Sequence, residues 1–208
     1  MHGSFESNNA MHDCDVMLCA GARFDDRVTG RLDAFSPGSK KIHIDIDPSS
    51  INKNVRADIP VVADCGKALK ALVNGWSKKV GKSPDIKPWW KQINEWRARK
   101  GFAYPNSKKL IKPQYAIERL YELTKTRDTY ITTEVGQHQM WAAQFYHFQE
   151  PNRWMTSGGL GTMGYGLPAA IGVQAAFPKA LVIDIAGDAS VQMTMQEMSC
   201  AIQHDLPV

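Results

Sequence analysis

A chain of 208 residues with 43% hydrophobic residues is long enough for one large or two small globular domains, each with its own core. The formal net charge of +4 is spread along the chain, and its tightest basic cluster, Lys78, Lys79 and Lys82, is too short for a nucleic-acid arm and reads as a solvated helix end. Cys14, Cys19, Cys65 and Cys200 form no CxxC pair, no apolar run approaches the roughly 18 residues that span a bilayer, and Met1-His2-Gly3-Ser4 is no signal peptide, so a soluble protein of a reducing, cytoplasmic setting is expected.

Residues 15–20 carry the run Val-Met-Leu-Cys-Ala closed by Gly21, the pattern of a buried parallel strand entering a tight turn. A second strand is expected over 41–45, stopped by Asp47-Pro48, with Pro48 opening a short helix. Ala68, Leu69, Leu72, Val73 and Trp76 fall at helical spacing within 66–79, and Trp89, Ile93 and Trp96 repeat it within 88–100. The polar stretch 104–113, punctuated by Pro105 and Pro113, reads as interdomain, which divides the chain into 1–107, a linker at 108–113, and 114–208.

Beyond it the pattern alternates. A helix is expected over 114–125, a β-branched strand over 129–133, a helix over 136–145, a short strand over 154–156 and a small-residue helix over 165–177. A strand over 180–185 and a helix over 194–204 follow, and 206–208 begins what reads as another strand. Such alternation predicts an α/β fold of parallel sheets flanked by helices.

Two stretches hold candidate chemistry. Residues 157–166 read SGGLGTMGYG, five glycines in nine residues from Gly158, between a strand and a helix. Glycine lets backbone N–H groups approach a phosphate without a Cβ in the way, and it equally serves tight turns and close helix packing, so both readings stand. The stretch 182–190 puts Asp188 just past an apolar strand, where ligands bind in open α/β sheets; an aspartate there suits Mg²⁺ on a diphosphate or a helix cap.

The GDAS turn about 30 residues after the glycine loop resembles the C-terminal cofactor domain of thiamine-diphosphate enzymes. Within that superfamily, EVGQHQMWAAQ at 134–144, the loop at 158–163 and GARFDDRVTG at 21–30 are similar to acetolactate (acetohydroxyacid) synthase large subunits. The likeness runs in order through essentially the whole chain. It implies an internal fragment holding the later part of the central, FAD-contacting domain and the first part of the C-terminal thiamine-diphosphate-binding domain.

For FAD the resemblance implies Met1, His2, Gly21, Ala22, Arg23, Phe24, Asp25, Asp45, Ile46, Asp64, Cys65, Gly158 and Gly159. Without it, the charges at 23–27 read as a surface ion-pair cluster, and Asp45 and Asp64 as turn acids. For thiamine diphosphate it implies Gln137, His138, Gly161, Thr162, Met163, Ala189 and Ser190, with Met140 as an apolar wedge under the cofactor and Asp188 as the Mg²⁺ ligand. Asp26 and Arg27 would lie near the substrate channel. His12, His43, His147 and His204 are isolated and carry no assignment.

The activity implied is condensation of two pyruvates to 2-acetolactate and CO₂, or of pyruvate with 2-ketobutyrate, in branched-chain amino-acid biosynthesis. A homodimer or tetramer is implied, with a possible small regulatory subunit; neither nucleic acid nor membrane is an expected partner. The activating glutamate and a second metal ligand, an asparagine, are expected outside these residues, so the chain alone is expected to be inactive. One departure stands out: Ala189 occupies the last position of a family GDG, where its methyl is expected to crowd a diphosphate or strain a positive φ. Competing readings are a pyruvate oxidase or glyoxylate carboligase type of enzyme, against which RFDDRVTG speaks, and a non-catalytic remnant that binds FAD or a partner.

Overall fold

The structure, a computed structural model, describes residues 3–80 and 84–208. Met1 and His2, two of the expected FAD contacts, and Lys82 of the basic cluster lie outside the described residues. The chain divides into two compact units, one ending at Phe102 and the other starting at Ala103.

The N-terminal unit contains α1 (Phe5–Asp13), β1 (Val16–Ala20), the short α2 (Asp26–Thr29), β2 (Lys40–Asp45), β3 (Ile59–Val62), α3 (Cys65–Lys79) and α4 (Lys87–Arg97). Its strands form a parallel sheet in the order β1-β2-β3, with Leu18 opposite Ile42 and Ile44 opposite Val61. The central strand β2 buries the polar side chains of Lys41, His43 and Asp45 as well as Ile44, and His43 bonds through Nε2 while its Nδ1 has no partner. Lys41 donates through Nζ to the carbonyls of Ser36 at 2.8 Å and Ser39 at 3.1 Å, which is what a buried ammonium requires.

Three features depart from expectation. β1 is not the buried strand expected: it lies at the sheet edge with Val16, Leu18 and Ala20 exposed. Pro48 opens no helix: the Asp47 carboxylate accepts from the Ser49 amide at 2.8 Å and its hydroxyl at 2.8 Å, folding the segment into turns. β3 is an additional strand that Pro60 disguises. Proline is tolerated there because β3 is an edge strand, paired on one side only.

The C-terminal unit contains α5 (Pro113–Thr124), β4 (Thr129–Thr133), α6 (Gln137–Phe145), β5 (Trp154–Thr156), α7 (Gly166–Ala176), β6 (Leu181–Ile185) and α8 (Met198–Gln203). Its parallel sheet has the order β5-β4-β6, with Thr133 opposite both Thr156 and Ile185. Every residue of β4 is buried. Successive side chains point to opposite faces, so Ile131 packs with Ile117, Phe145 and Tyr146, while Tyr130 packs with Ala170 and Val182. The expected helix over 194–204 is split into a 3-10 turn, Met195–Glu197, and α8, and residues 206–208 form no strand. The α/β class with parallel sheets flanked by helices is as expected. Among the described residues no helix is long and apolar enough to cross a membrane.

Candidate functional site

In the C-terminal unit three parallel strands deliver their carboxyl ends to one side of the sheet, the edge at which open α/β sheets bind ligands. After β6 the chain turns over residues 187–190. The Ser190 hydroxyl accepts from the Gly187 amide at 3.1 Å and donates to the Gly187 carbonyl at 3.3 Å, so this buried side chain ties the turn to itself. Asp188 and Ala189 are exposed at its crest. Ala189 is not among the residues with positive φ, so the strain expected of its methyl does not arise.

His138, in the first turn of α6, lies against this turn: a Cβ placed on Gly187 would stand 2.8 Å from its Cε1. Its Nε2 is buried with no hydrogen-bond partner. Burial pushes its pKa below the ordinary histidine value, against a hydrogen bond with the Glu134 backbone and the charges of Glu134 and Asp188. Gln137 beside it is exposed, and Met140 is half-buried on α6.

The glycine run follows β5. Gly158, Gly159, Gly161, Thr162 and Met163 are exposed, Thr162 donating its amide to Ser157 Oγ at 2.9 Å. Gly161 approaches Val135 of the β4–α6 turn. The second half of the run is held by Glu134, a fully buried acid whose carboxylate accepts from the amides of Gly164 at 2.6 Å and Gly166 at 2.7 Å. Asp184 of β6 accepts from Thr132 Oγ1 at 2.9 Å, and burial raises its carboxyl to about 6. The sequence reading assigns neither acid; the available signal is that both are carboxylates set in or directly after buried strands.

In the N-terminal unit residues 21–25 form the β1–α2 connection. The Ile44 carbonyl accepts from the Gly21 amide at 2.8 Å, His43 Nε2 bonds the Ala22 carbonyl at 2.8 Å, and Asn54 donates to the Phe24 carbonyl at 2.9 Å. Phe24 is buried with its ring edge-on to His43. Gly21, Ala22, Arg23, Asp26 and Arg27 are exposed; Arg23 stands 4.0 Å from Asp25, a surface pair of small energetic weight. Asp25 caps α2 through the Arg27 amide at 3.1 Å, and Asp64 caps α3 through the Lys67 amide at 2.9 Å. Asp45 is buried and accepts from the Asp47 amide at 2.9 Å, Ile46 is exposed, and Cys65 is half-buried at the start of α3.

Among the described residues no three His, Cys, Asp or Glu side chains cluster as a metal site. Asp188 fits a cation only as one ligand among several, the arrangement a metal bound mainly through a diphosphate requires. The unpartnered His138 Nε2 beside a turn with glycine and serine accepts a hydrogen bond in the neutral ring and fits an anionic oxygen only in the protonated ring. A cavity of about 290 Å³ lies elsewhere, at the amino ends of β4 and β5, lined by Tyr121, Thr129, Tyr146 and Arg153. Its Arg153 is committed, paired with Asp128 at 2.9 Å and stacked over Tyr130.

Sequence comparison adds the family. Residues 1–72 match the central domain of thiamine pyrophosphate enzymes, and residues 134–208 match their C-terminal TPP binding domain. The whole chain is 50% identical to the acetolactate synthase isozyme 3 large subunit of Escherichia coli K12, covering 36% of that relative. It is 49% identical to an acetolactate synthase large subunit of Buchnera aphidicola, covering 36%, and 43% identical to that of Porphyra purpurea, covering 35%, again over its whole length. The chain thus spans about a third of the length of these relatives. The parallel sheet with its GDAS turn, two domain matches and these whole-chain similarities agree: residues 1–72 and 134–208 match the central and C-terminal domains of thiamine pyrophosphate enzymes, and the chain is similar over its whole length to acetolactate synthase large subunits.

Proposed function

We propose that this chain is part of an acetolactate synthase catalytic subunit, which condenses two pyruvates to 2-acetolactate and CO₂, or pyruvate with 2-ketobutyrate, in branched-chain amino-acid biosynthesis. The observation that carries this reading is the 187–190 turn at the end of β6, with the partnerless His138 nitrogen beside it, inside a segment similar to a TPP binding domain. On this reading the domain division falls at 108–113.

Gln137, His138, Gly161, Thr162, Met163, Ala189 and Ser190 hold the cofactor's diphosphate end, Met140 supports it from α6, and Asp188 contributes to Mg²⁺. Thiamine diphosphate, when bound, supplies the electron sink for decarboxylating a 2-keto acid. The residues of this chain bind and orient. Ser190 keeps the turn closed so that its backbone presents one fixed face, and His138, whose other ring nitrogen donates to the Glu134 backbone, presents Nε2 as an acceptor in the neutral ring and donates from it to a diphosphate oxygen only when protonated.

In the N-terminal unit the 21–25 connection, with Asp45, Ile46, Asp64 and Cys65, contacts FAD, and Asp26 and Arg27 lie toward the substrate. The working enzyme is a homodimer or tetramer, and it resides in the cytoplasm.

The test is acetolactate formation from pyruvate with thiamine diphosphate, Mg²⁺ and FAD, by the 208-residue chain and by the gene product extended at both ends. The extended protein is expected to form acetolactate, and Asp188→Ala to abolish it. An extended protein that consumes pyruvate without forming acetolactate, or consumes none, overturns the reading.

A further inference from the structure

α7 opens without a local cap: Tyr165 stands at the N-cap position and makes no side-chain cap bond. The first amides of a helix need acceptors, and its N-terminus favours an anion. Here the anion belongs to the protein. Glu134 Oε1 accepts from the Gly166 amide at 2.7 Å and the Leu167 amide at 3.3 Å, and Oε2 accepts from the Gly164 amide at 2.6 Å.

The fit around this carboxylate leaves no slack. A Cβ on Gly166 would overlap Asp184 Oδ1 and stand 2.8 Å from the Glu134 amide nitrogen. One on Gly164, where φ is +91°, would meet Met193 and Thr194, each at 3.0 Å. Thr194 holds the opposite side of the same segment, donating to the Gly164 carbonyl at 3.3 Å. The amides of Gly164, Gly166 and Leu167 are therefore already used, although a glycine run opening a helix resembles a phosphate cradle.

We propose that Glu134 is a positioning residue for the cofactor loop: its carboxylate fills the anion position at the N-terminus of α7, fixes 164–167, and leaves the diphosphate to 161–163 and the 187–190 turn. The assignment rests on the thiamine-diphosphate reading above. Both Glu134 oxygens accept N–H groups, so a second anion would meet a carboxylate and no spare donor at this helix end.

The experiment uses the full-length subunit without cofactor. Hydrogen–deuterium exchange of the 164–167 amides is read first, then the thiamine-diphosphate Kd from quenching of tryptophan fluorescence, in the natural protein, Glu134→Gln and Thr194→Val. In the natural protein these amides are expected to be protected. Glu134→Gln keeps one acceptor but turns an NH₂ group toward an amide donor, so protection should fall at least tenfold and Kd rise at least tenfold, with far-UV circular dichroism unchanged. Thr194→Val should do the same more weakly, and it supplies the comparison if Glu134→Gln does not fold.

Rapid exchange at 164–167 in the natural protein overturns the proposal. So does lost protection in Glu134→Gln with Kd within twofold of the natural value, which would make Glu134 a structural cap only. If the natural protein is protected but binds no thiamine diphosphate, it is the cofactor reading that fails, and the carboxylate clamp stands as a clamp without a cofactor to position.

Discussion

The imidazole of His138 lies against Gly187, so that a Cβ there would stand 2.8 Å from both Cε1 and Nδ1. The same ring also lies close over Gly136, where a Cβ would stand 2.7 Å from Cε1. Gly187→Ala should therefore cost about 1–3 kcal/mol by overpacking. It should also weaken thiamine diphosphate by displacing the partnerless Nε2. Urea unfolding and fluorescence titration read both; an alanine variant of natural stability would mean that the ring swings clear.

Asp184 makes stability depend on pH in an unusual direction. Burial raises its carboxyl to about 6, opposed by the Thr132 hydroxyl and reinforced by the Glu134 charge. The folded state thus holds this proton more tightly than the unfolded chain. The contribution is fully present below the unfolded aspartate value of about 4 and is lost as pH rises through about 6. Asp184→Asn should flatten the slope of unfolding free energy between those limits; urea midpoints at a series of pH values test it, and an unchanged slope would assign the dependence to another group.

Ala189→Gly should not improve metal or cofactor binding. Ala189 is outside the set of positive-φ residues and its methyl is exposed, so glycine relieves nothing. The substitution enlarges the unfolded ensemble and should cost about 0.4–1 kcal/mol. Calorimetry of Mg²⁺ and thiamine diphosphate binding, with a thermal melt, checks both halves; a Kd improved tenfold would show that the methyl does crowd the ligand.

His43→Phe keeps a ring against Phe24 but removes the Nε2 donor 2.8 Å from the Ala22 carbonyl. Because the exposed Ala22 carbonyl also accepts from Cys19 Sγ at 3.4 Å, the loss should be that of one ordinary hydrogen bond, about 0.5–1.5 kcal/mol. The 21–25 connection should loosen, with FAD retention through gel filtration falling at least fivefold. Unchanged flavin retention in a destabilised variant would separate the fold role of His43 from flavin binding.

How much of this was readable in sequence follows from which partners are local. β4 is legible because five residues rich in threonine stand between Asp128 and Glu134, and its burial on both faces needs no polar alternation. The GDAS turn is legible because an acid follows an apolar strand. β3 is not, because Pro60 lowers strand propensity and only pairing to β2 explains it. The turns after Asp47 hide for the opposite reason: a side chain outcompetes the helix that Pro48 would open. His43 looks isolated because its partner is a carbonyl 21 residues earlier, and Glu134 is silent because its acceptors' partners are backbone amides 30 to 33 residues later, which no spacing rule displays.

That distance between Glu134 and α7 bears on how the chain folds. A helix whose first amides are satisfied by a residue just past a separate strand lacks a start signal of its own, and its nucleation is costly without one. An excised peptide spanning α7 should therefore be poorly helical in water. In the intact chain the helix gains its cap only when β4 and the glycine run have met, so its first turn should form together with the sheet, as one cooperative step, and fray first whenever that strand is disturbed.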